Sequence, residues 1–258
     1  MPLLAFPADD VIWTATLTAT NADALYPVTN VKNNDPSDTF RSTTTSTVIT
    51  ITLAGNITAL MLFLGNTNYT TGTLANASGL SASFVFPSRT TDGKARNGWL
   101  DLRGLGNTTD DVFTLTLSKS GTAKGELGRI VLAVDLQEPE LVIQGAGPSP
   151  VFGIKRPGMV ENVTRLGSTF RRASPTSARF VRASSIVAEF LTLWQQLDAE
   201  CLGLNRGFLF IPDEDDNDAW FAQLTMKDLE WTVDIPDVLI PVSLTIEEIS
   251  MGLPPSLA

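Results

Sequence analysis

The sequence predicts a mainly β protein in two modules. An antiparallel β-sandwich of jelly-roll type occupies residues 1–140, a linker 141–150, and a second β-sandwich or barrel packed with one α-helix 151–258. Three observations carry this reading. Strand-period alternation recurs through the first half, as in Val48-Ile49-Thr50-Ile51-Thr52-Leu53 and Val112-Phe113-Thr114-Leu115-Thr116-Leu117, where one face is apolar and the other is threonine. Between Gln144 and Gly158 stand Gly145, Gly147, Pro148, Pro150, Gly153 and Pro157, a density of breakers that regular structure tolerates poorly. A helical period appears in one place, where Ile186, Phe190, Leu193, Trp194 and Leu197 recur at three- and four-residue steps.

In the first module the expected strands are Val11 to Thr18, Val48 to Leu53, Ala59 to Gly65, Ser81 to Phe86, Asn97 to Leu102, Val112 to Ser118 and Glu126 to Leu136. Seven short strands at this spacing, with turn residues between them, suit a sandwich or jelly roll. The run Ala59-Leu60-Met61-Leu62-Phe63-Leu64 is apolar throughout, as in a strand covered on both faces near a sheet centre. In the second module the helix is expected over 185–202, capped by Ser184 or Ser185 and ended by Gly203. Its sheet is expected from Ser177 to Ala183, Phe208 to Ile211, Trp220 to Met226, Leu229 to Asp234 and Val238 to Ile249.

Composition narrows the chemistry. The 258 residues suffice for a sizeable core, and 43% are hydrophobic. Histidine is absent, which removes the usual general base, the commonest metal ligand and every Ser-His or Cys-His nucleophile pair. The net charge of −10 disfavours a nucleic-acid-binding face, since phosphate affinity comes from clustered Lys and Arg, yet suits a conduit that DNA passes without sticking. The lone Cys201 beside Leu202 and Leu204 reads as a buried, inert thiol. The opening Met1-Pro2-Leu3-Leu4-Ala5-Phe6-Pro7 lacks the pattern of a signal peptide, and no apolar run reaches the roughly 18 residues of a membrane helix, so synthesis in a cytoplasm without membrane insertion is expected.

No catalytic, cofactor or metal site is expected. Asp213-Glu214-Asp215-Asp216-Asn217-Asp218 has the opening spacing of a calcium loop, but Asp218 stands where glycine is needed and Leu224 where a bidentate glutamate is needed, so it reads as a solvated turn. Glu247 and Glu248 are adjacent and point to opposite faces of a strand. Asn56, Asn68, Asn76, Asn107 and Asn162 each open an Asn-x-Ser/Thr triplet, which a Thr-rich chain generates by chance. One carbohydrate-binding constellation presents itself. Asn66, Asn68 and Tyr69, with Trp99, offer amide hydrogen bonders beside aromatic faces, as a saccharide's mixed surface requires. The alternative is that Trp99 is core and the asparagines are turn residues.

The stretches Tyr26-Pro27, Asp35-Pro36-Ser37-x-x-Phe40-Arg41-Ser42, Ile49 to Leu53 and Ala59 to Asn66 resemble the opening of galactose-binding-like, or discoidin-like, sandwiches of long-tailed bacteriophage structural proteins. The Arg-rich strand, the helix with Phe190 and Trp194, Phe208-Leu209-Phe210-Ile211-Pro212-Asp213, the Trp220 strand and Ile246-Glu247-Glu248-Ile249 resemble the distal tail or baseplate hub proteins of those phages. The resemblance implies a virion tail-tip protein that joins tail tube to hub and fibres in a homo-oligomeric ring, commonly of six copies, around the DNA channel. It departs from the commonest layout, in which the ring-forming part comes first. A host-attachment module that binds glycan is the competing expectation, and an acid-base glycosidase using Asp or Glu a third.

Overall fold

The computed structural model describes residues 3–33, 38–86, 96–138, 151–155, 159–163, 169–173, 178–183, 191–204, 206–212, 219–224, 231–235, 238–241 and 244–249. In chain order the first strands are β1 (Leu3–Ala5), β2 (Thr16–Ala19), β3 (Phe40–Arg41), β4 (Ser46–Thr58), β5 (Met61–Thr67), β6 (Thr71–Asn76), β7 (Ser81–Val85), β8 (Arg96–Asp101), β9 (Thr109–Ser118) and β10 (Glu126–Ala133). There follow β11 (Val151–Lys155), β12 (Met159–Val163), β13 (Thr169–Ala173), β14 (Ala178–Ala183), helix α1 (Leu191–Leu204), β15 (Phe208–Ile211), β16 (Trp220–Leu224), β17 (Trp231–Ile235), β18 (Val238–Pro241) and β19 (Leu244–Glu248). The protein is mainly β, with antiparallel sheets in sandwich-like packing and one α-helix among the described residues.

The first module pairs a five-stranded sheet, β2-β4-β9-β6-β7, with a four-stranded sheet, β3-β10-β5-β8. Ile49, Ile51 and Leu53 of β4 meet Phe113, Leu115 and Leu117 of β9 in one buried cluster with Leu62, Leu64, Ile130 and Leu132 from the opposite sheet. The apolar run of β5 is buried along its whole length because both faces are covered. Leu62 and Leu64 face the sandwich core, while Met61 and Phe63 face a second core shared with Phe221, Leu209 and Ile211 of the C-terminal module. At about 1.5–3 kcal/mol per buried side chain, these four residues contribute on the order of 10 kcal/mol before chain entropy is subtracted.

The C-terminal module is built on a six-stranded sheet, β1-β15-β16-β19-β14-β11, and β12-β13 and β17-β18 form two-stranded sheets of their own. Its edge strand comes from the other end of the chain. Leu3, Leu4 and Ala5 pair with Ile211, Phe210 and Leu209. Alternation along β1 sends Leu3 and Ala5 toward the sandwich and Leu4 into the layer beneath α1. The helix lays Leu193, Leu197 and Cys201 on Phe208, Phe210, Trp220 and Ile246. The resulting order of layers is five-stranded sheet, four-stranded sheet, six-stranded sheet, helix.

Several local expectations change. Val11–Trp13 is a 3-10 turn rather than the start of a strand, because the Asp10 carboxylate accepts from the Ile12 amide at 3.1 Å and caps it. The helix includes Gly203 and runs to Leu204, and its start over 185–190 lies outside the described residues, as do the linker 141–150 and the acidic turn 213–218. The segment 238–249 is two strands, β18 and β19, which pair with different partners. Strands β1, β3, β6, β11, β12 and β13 were not expected from local pattern.

The module junction is fixed by a buried ion pair. Arg129 of β10 is fully buried, and its guanidinium meets the Asp10 carboxylate at 2.5 Å and the Val31 carbonyl at 3.2 Å. The other Asp10 oxygen accepts from the Ile12 and Leu132 amides. Trp13 lies against Arg129 at 4.0 Å and against Arg206 of the C-terminal module at 4.2 Å, while Phe221 approaches Arg129 at 4.8 Å. Burial works against both charges, raising the Asp10 pKa and lowering that of Arg129, and their contact opposes it.

Beside this pair the junction also gathers three carboxylates. The Ala8 amide donates to Glu200 of α1 at 3.1 Å, and the Val134 amide to the Asp9 carbonyl at 3.2 Å, which brings Asp9, Asp135 and Glu200 together. Burial first, then the charges of Asp135 and Glu200, push the Asp9 carboxyl up to about 6. In the five-stranded sheet Asp110 behaves oppositely: the Ser78 hydroxyl and three backbone amides hold its carboxyl at about 2.

Two outcomes are expected. Arg129→Ala or Asp10→Ala leaves a buried charge without its partner and lowers unfolding free energy by about 3–5 kcal/mol in denaturant titrations, whereas Asp10→Leu with Arg129→Met loses less than the sum of the single changes. Asp9 binds its proton more tightly folded than unfolded, so its contribution is favourable in acid and lost as pH rises from its ordinary 3.8 through about 6. Thermal melting therefore shows Asp9→Asn stabilising the protein at about pH 7.5 with the gain shrinking by about pH 4.5; a gain independent of pH sinks the assignment.

Candidate functional site

The loops at one end of the sandwich converge on a polar constellation. The segment after β2 is tied to the β3–β4 turn by Thr43 N–H to the Asn21 carbonyl (2.7 Å) and Asp23 N–H to the Arg41 carbonyl (2.9 Å). The β3–β4 turn is tied to the β9–β10 loop by Ser42 N–H to the Gly125 carbonyl and Gly125 N–H to the Thr44 carbonyl. Three loops distant in sequence thus form one surface.

On that surface stand Asp23, Leu25, Tyr26, Arg41 and Lys124. Lys124 Nζ meets Asp23 Oδ2 at 3.3 Å across two loops. The Leu25 amide and then Lys124 hold the Asp23 carboxyl below its usual range. Arg41 stacks on the Tyr26 ring at 4.2 Å and pairs with the buried Glu126 carboxylate at 2.7 Å. The guanidinium is therefore fixed from below by a charge and covered from above by a ring. Leu25 is 82% exposed.

The four residues proposed from sequence divide between this end and the module junction. Asn68 and Tyr69 belong to the loop end, but as supports. Asn68 donates from Nδ2 to the Lys124 carbonyl at 3.0 Å and accepts at Oδ1 from the Glu126 amide at 2.8 Å, so both ends of its amide are spent on the β9–β10 loop. Tyr69 is fully buried, with its phenol pushed well above the usual range by desolvation. The phenol fills the space a side chain on residue 125 would need, which accounts for Gly125 in a loop whose neighbours are bulky.

Asn66 and Trp99 lie at the junction. Asn66 adopts φ 51°, a left-handed conformation asparagine tolerates, and its backbone N–H donates to Asn97 Oδ1 at 3.0 Å. Asn97 Nδ2 in turn donates to the Ala219 carbonyl at the start of β16 (3.2 Å). Trp99 packs partly buried against the core shared by Phe63, Val131 and Phe221. The sequence reading missed Asp23, Tyr26, Arg41 and Lys124 as one group. Tyr26-Pro27 and Phe40-Arg41-Ser42 stood out only as turn and family pattern, and no local period links either to Lys124.

Among the described residues, no group of three or more Cys, Asp or Glu side chains is placed to hold a metal ion, and no helix is long and apolar enough to cross a membrane. Cys201 is half-buried on the sheet-facing side of α1, its thiol pushed up to about 12 mainly by burial.

No family model and no curated protein matches this chain. Solved structures similar to it include a fucose-binding module of Streptococcus pneumoniae, 12% identical over 48% of this chain and 96% of that one, with a TM-score of 0.38. A family 32 carbohydrate-binding module from Clostridium perfringens NanJ, in complex with galactose, is 7% identical over 53% of this chain and 100% of that one (TM-score 0.38). XRCC1 bound to the DNA polymerase β catalytic domain is 13% identical over 46% of this chain and 93% of that one (TM-score 0.38).

Proposed function

We propose that the N-terminal sandwich is a non-catalytic recognition module that binds glycan at its loop end. The observation that carries this is the joining of an aromatic ring and an exposed leucine to an Asp23–Lys124 pair on a surface locked by Arg41 on the buried Glu126. A saccharide offers hydroxyls that both donate and accept, interleaved with C–H patches. A fixed carboxylate, an ammonium and the Tyr26 and Leu25 surfaces match those elements. The supports are spent internally and cost no reordering on binding, which favours affinity for a small ligand. The chain has no histidine, and the carboxylates of this end are held in ion pairs, so acid-base hydrolysis is not part of the proposal.

A second reading, the tail-tip scaffold implied by the family resemblance, is favoured by Trp99 and Asn97. Both are occupied at the module junction rather than offered to a ligand, and β1 makes the C-terminal sheet depend on the other end of the chain. The two readings coexist if the C-terminal module joins an assembly and the sandwich faces outward. Whether a hexameric ring forms and which tail proteins it meets belong to this reading.

Binding is tested by retention on an array of neutral and charged bacterial glycans. Tyr26→Ala and Lys124→Ala each weaken capture of the best ligand by about tenfold or more while thermal melting is unchanged, and incubation with that glycan releases no sugar. Absence of any glycan capture by the folded chain removes the binding reading and leaves the scaffold. As an internal control, Asn68→Ala lowers stability by about 1–2 kcal/mol in denaturant titrations, because two backbone groups of the supporting loop lose their partner.

A further inference from the structure

The five-stranded sheet ends on β7, and this edge is unlike a guarded one. Hydrogen bonds from the Phe86 amide to the Thr70 carbonyl and from the Asn76 amide to the Leu80 carbonyl fix the phase of the β6–β7 ladder. With the register Gly72↔Phe84 and Leu74↔Ala82, the even-numbered residues of β7 turn their backbone groups toward β6. Ser81, Ser83 and Val85 therefore turn three N–H and three C=O groups outward. Among the described residues none of these groups has a partner, and all three residues are exposed, Val85 at 74%.

Edges of this kind are normally blunted by charge, proline, a bulge or a covering element. Ser81-Ala82-Ser83-Phe84-Val85 has no charged residue and no proline, and its pairing with β6 runs without a register shift. Neutrality extends across the three ladders that run into β7, although β9 carries Asp110 and Asp111 at its start. The ladders Thr18–Thr50–Thr114–Ala75–Ser81, Val48–Thr116–Thr73–Ser83 and Ser46–Ser118–Thr71–Val85 contain no ionisable side chain, in a chain of net charge −10. Cross-strand hydroxyl contacts, Thr71 to Ser118 at 2.7 Å and Thr73 to Ser83 at 3.0 Å, hold these side chains in register up to the edge.

We propose that β7 pairs antiparallel with β7 of a second copy of this chain, joining two five-stranded sheets into one across a two-fold axis at Ser83. The phase permits this register. Ser83 faces Ser83 of the other copy as a hydrogen-bonded pair, and Ser81 faces Val85 on either side, so all six outward groups are satisfied by six reciprocal bonds. A second copy fits better than an unrelated strand because the pairing is self-complementary: the threonine and serine ladders continue across the axis, and no like charges meet at the seam. A five-residue seam buries less than the roughly 1,200 Å² typical of tight complexes, so the dimer is concentration-dependent. Because each copy carries −10 overall, added salt strengthens it.

Sedimentation of the full chain from micromolar to millimolar concentration tests this. The expected result is a monomer–dimer equilibrium that tightens with salt. Ser83→Pro removes an outward N–H that makes no bond within the sheet, and Ser83→Lys places two ammonium groups opposite each other only in the dimer. Each weakens association by about tenfold or more with melting temperature near that of the parent chain. If proline perturbs the strand, the lysine variant decides alone. A parent chain that stays monomeric throughout, or a dimer that a folded Ser83→Lys leaves unchanged, overturns the proposal.

Discussion

The contact on which the rest of the arrangement depends is the buried pair of Asp10 and Arg129 with the rings of Trp13 and Phe221. Arg129 sits on β10, within the four-stranded sheet, which is covered by the sandwich core on one side and by the C-terminal sheet on the other. A guanidinium there is tolerable only with a carboxylate and π faces around it. Those groups come from the segment after β1 and from β16, so satisfying one charge places the N-terminal segment and the C-terminal module together. Arg206 on the other contact to Trp13 and the Asn66–Asn97–Ala219 relay repeat the same tie.

This construction leaves the loop end of the sandwich, where the recognition surface is proposed, away from the module junction. The sandwich spends one face on the C-terminal module, and among the described residues nothing packs on the outer five-stranded face. The ladders that run into β7 carry hydroxyls and methyls without charge, whereas Asp23, Lys124, Arg41 and Tyr26 stand together where three loops meet. The polar supports, buried Glu126 and Tyr69 and half-buried Asn68, stiffen that end. Rigid loops on a sheet scaffold can present a fixed pattern of donors and acceptors.

The candidate site was partly legible. Asn68 and Tyr69 were singled out, and they do belong to the loop end, but their polar atoms serve the loop beside them. The amide-rich text Gly65-Asn66-Thr67-Asn68-Tyr69 does not say which carboxamide turns to solvent and which to a backbone fifty residues away. The left-handed turn at Asn66 sends the two asparagines to different parts of the molecule. Lys124 and Arg41 come together only through loop contacts of long sequence separation.

By itself the sequence determined the β class, the alternation of β4 and β9, the two-sided burial of β5 and a C-terminal helix on a sheet, because these follow from side-chain periods of two and 3.6 within a few residues. Tertiary structure decided what those periods leave open. Leu3–Ala5 gives too short a run to announce a strand and becomes one only against β15. Trp99 reads as core or as a ligand platform until β16 arrives beside it. Arg129 reads as a surface charge until Asp10, more than a hundred residues earlier, is folded against it. Local pattern fixes which face of an element is apolar; only the packing of distant segments determines what that face meets.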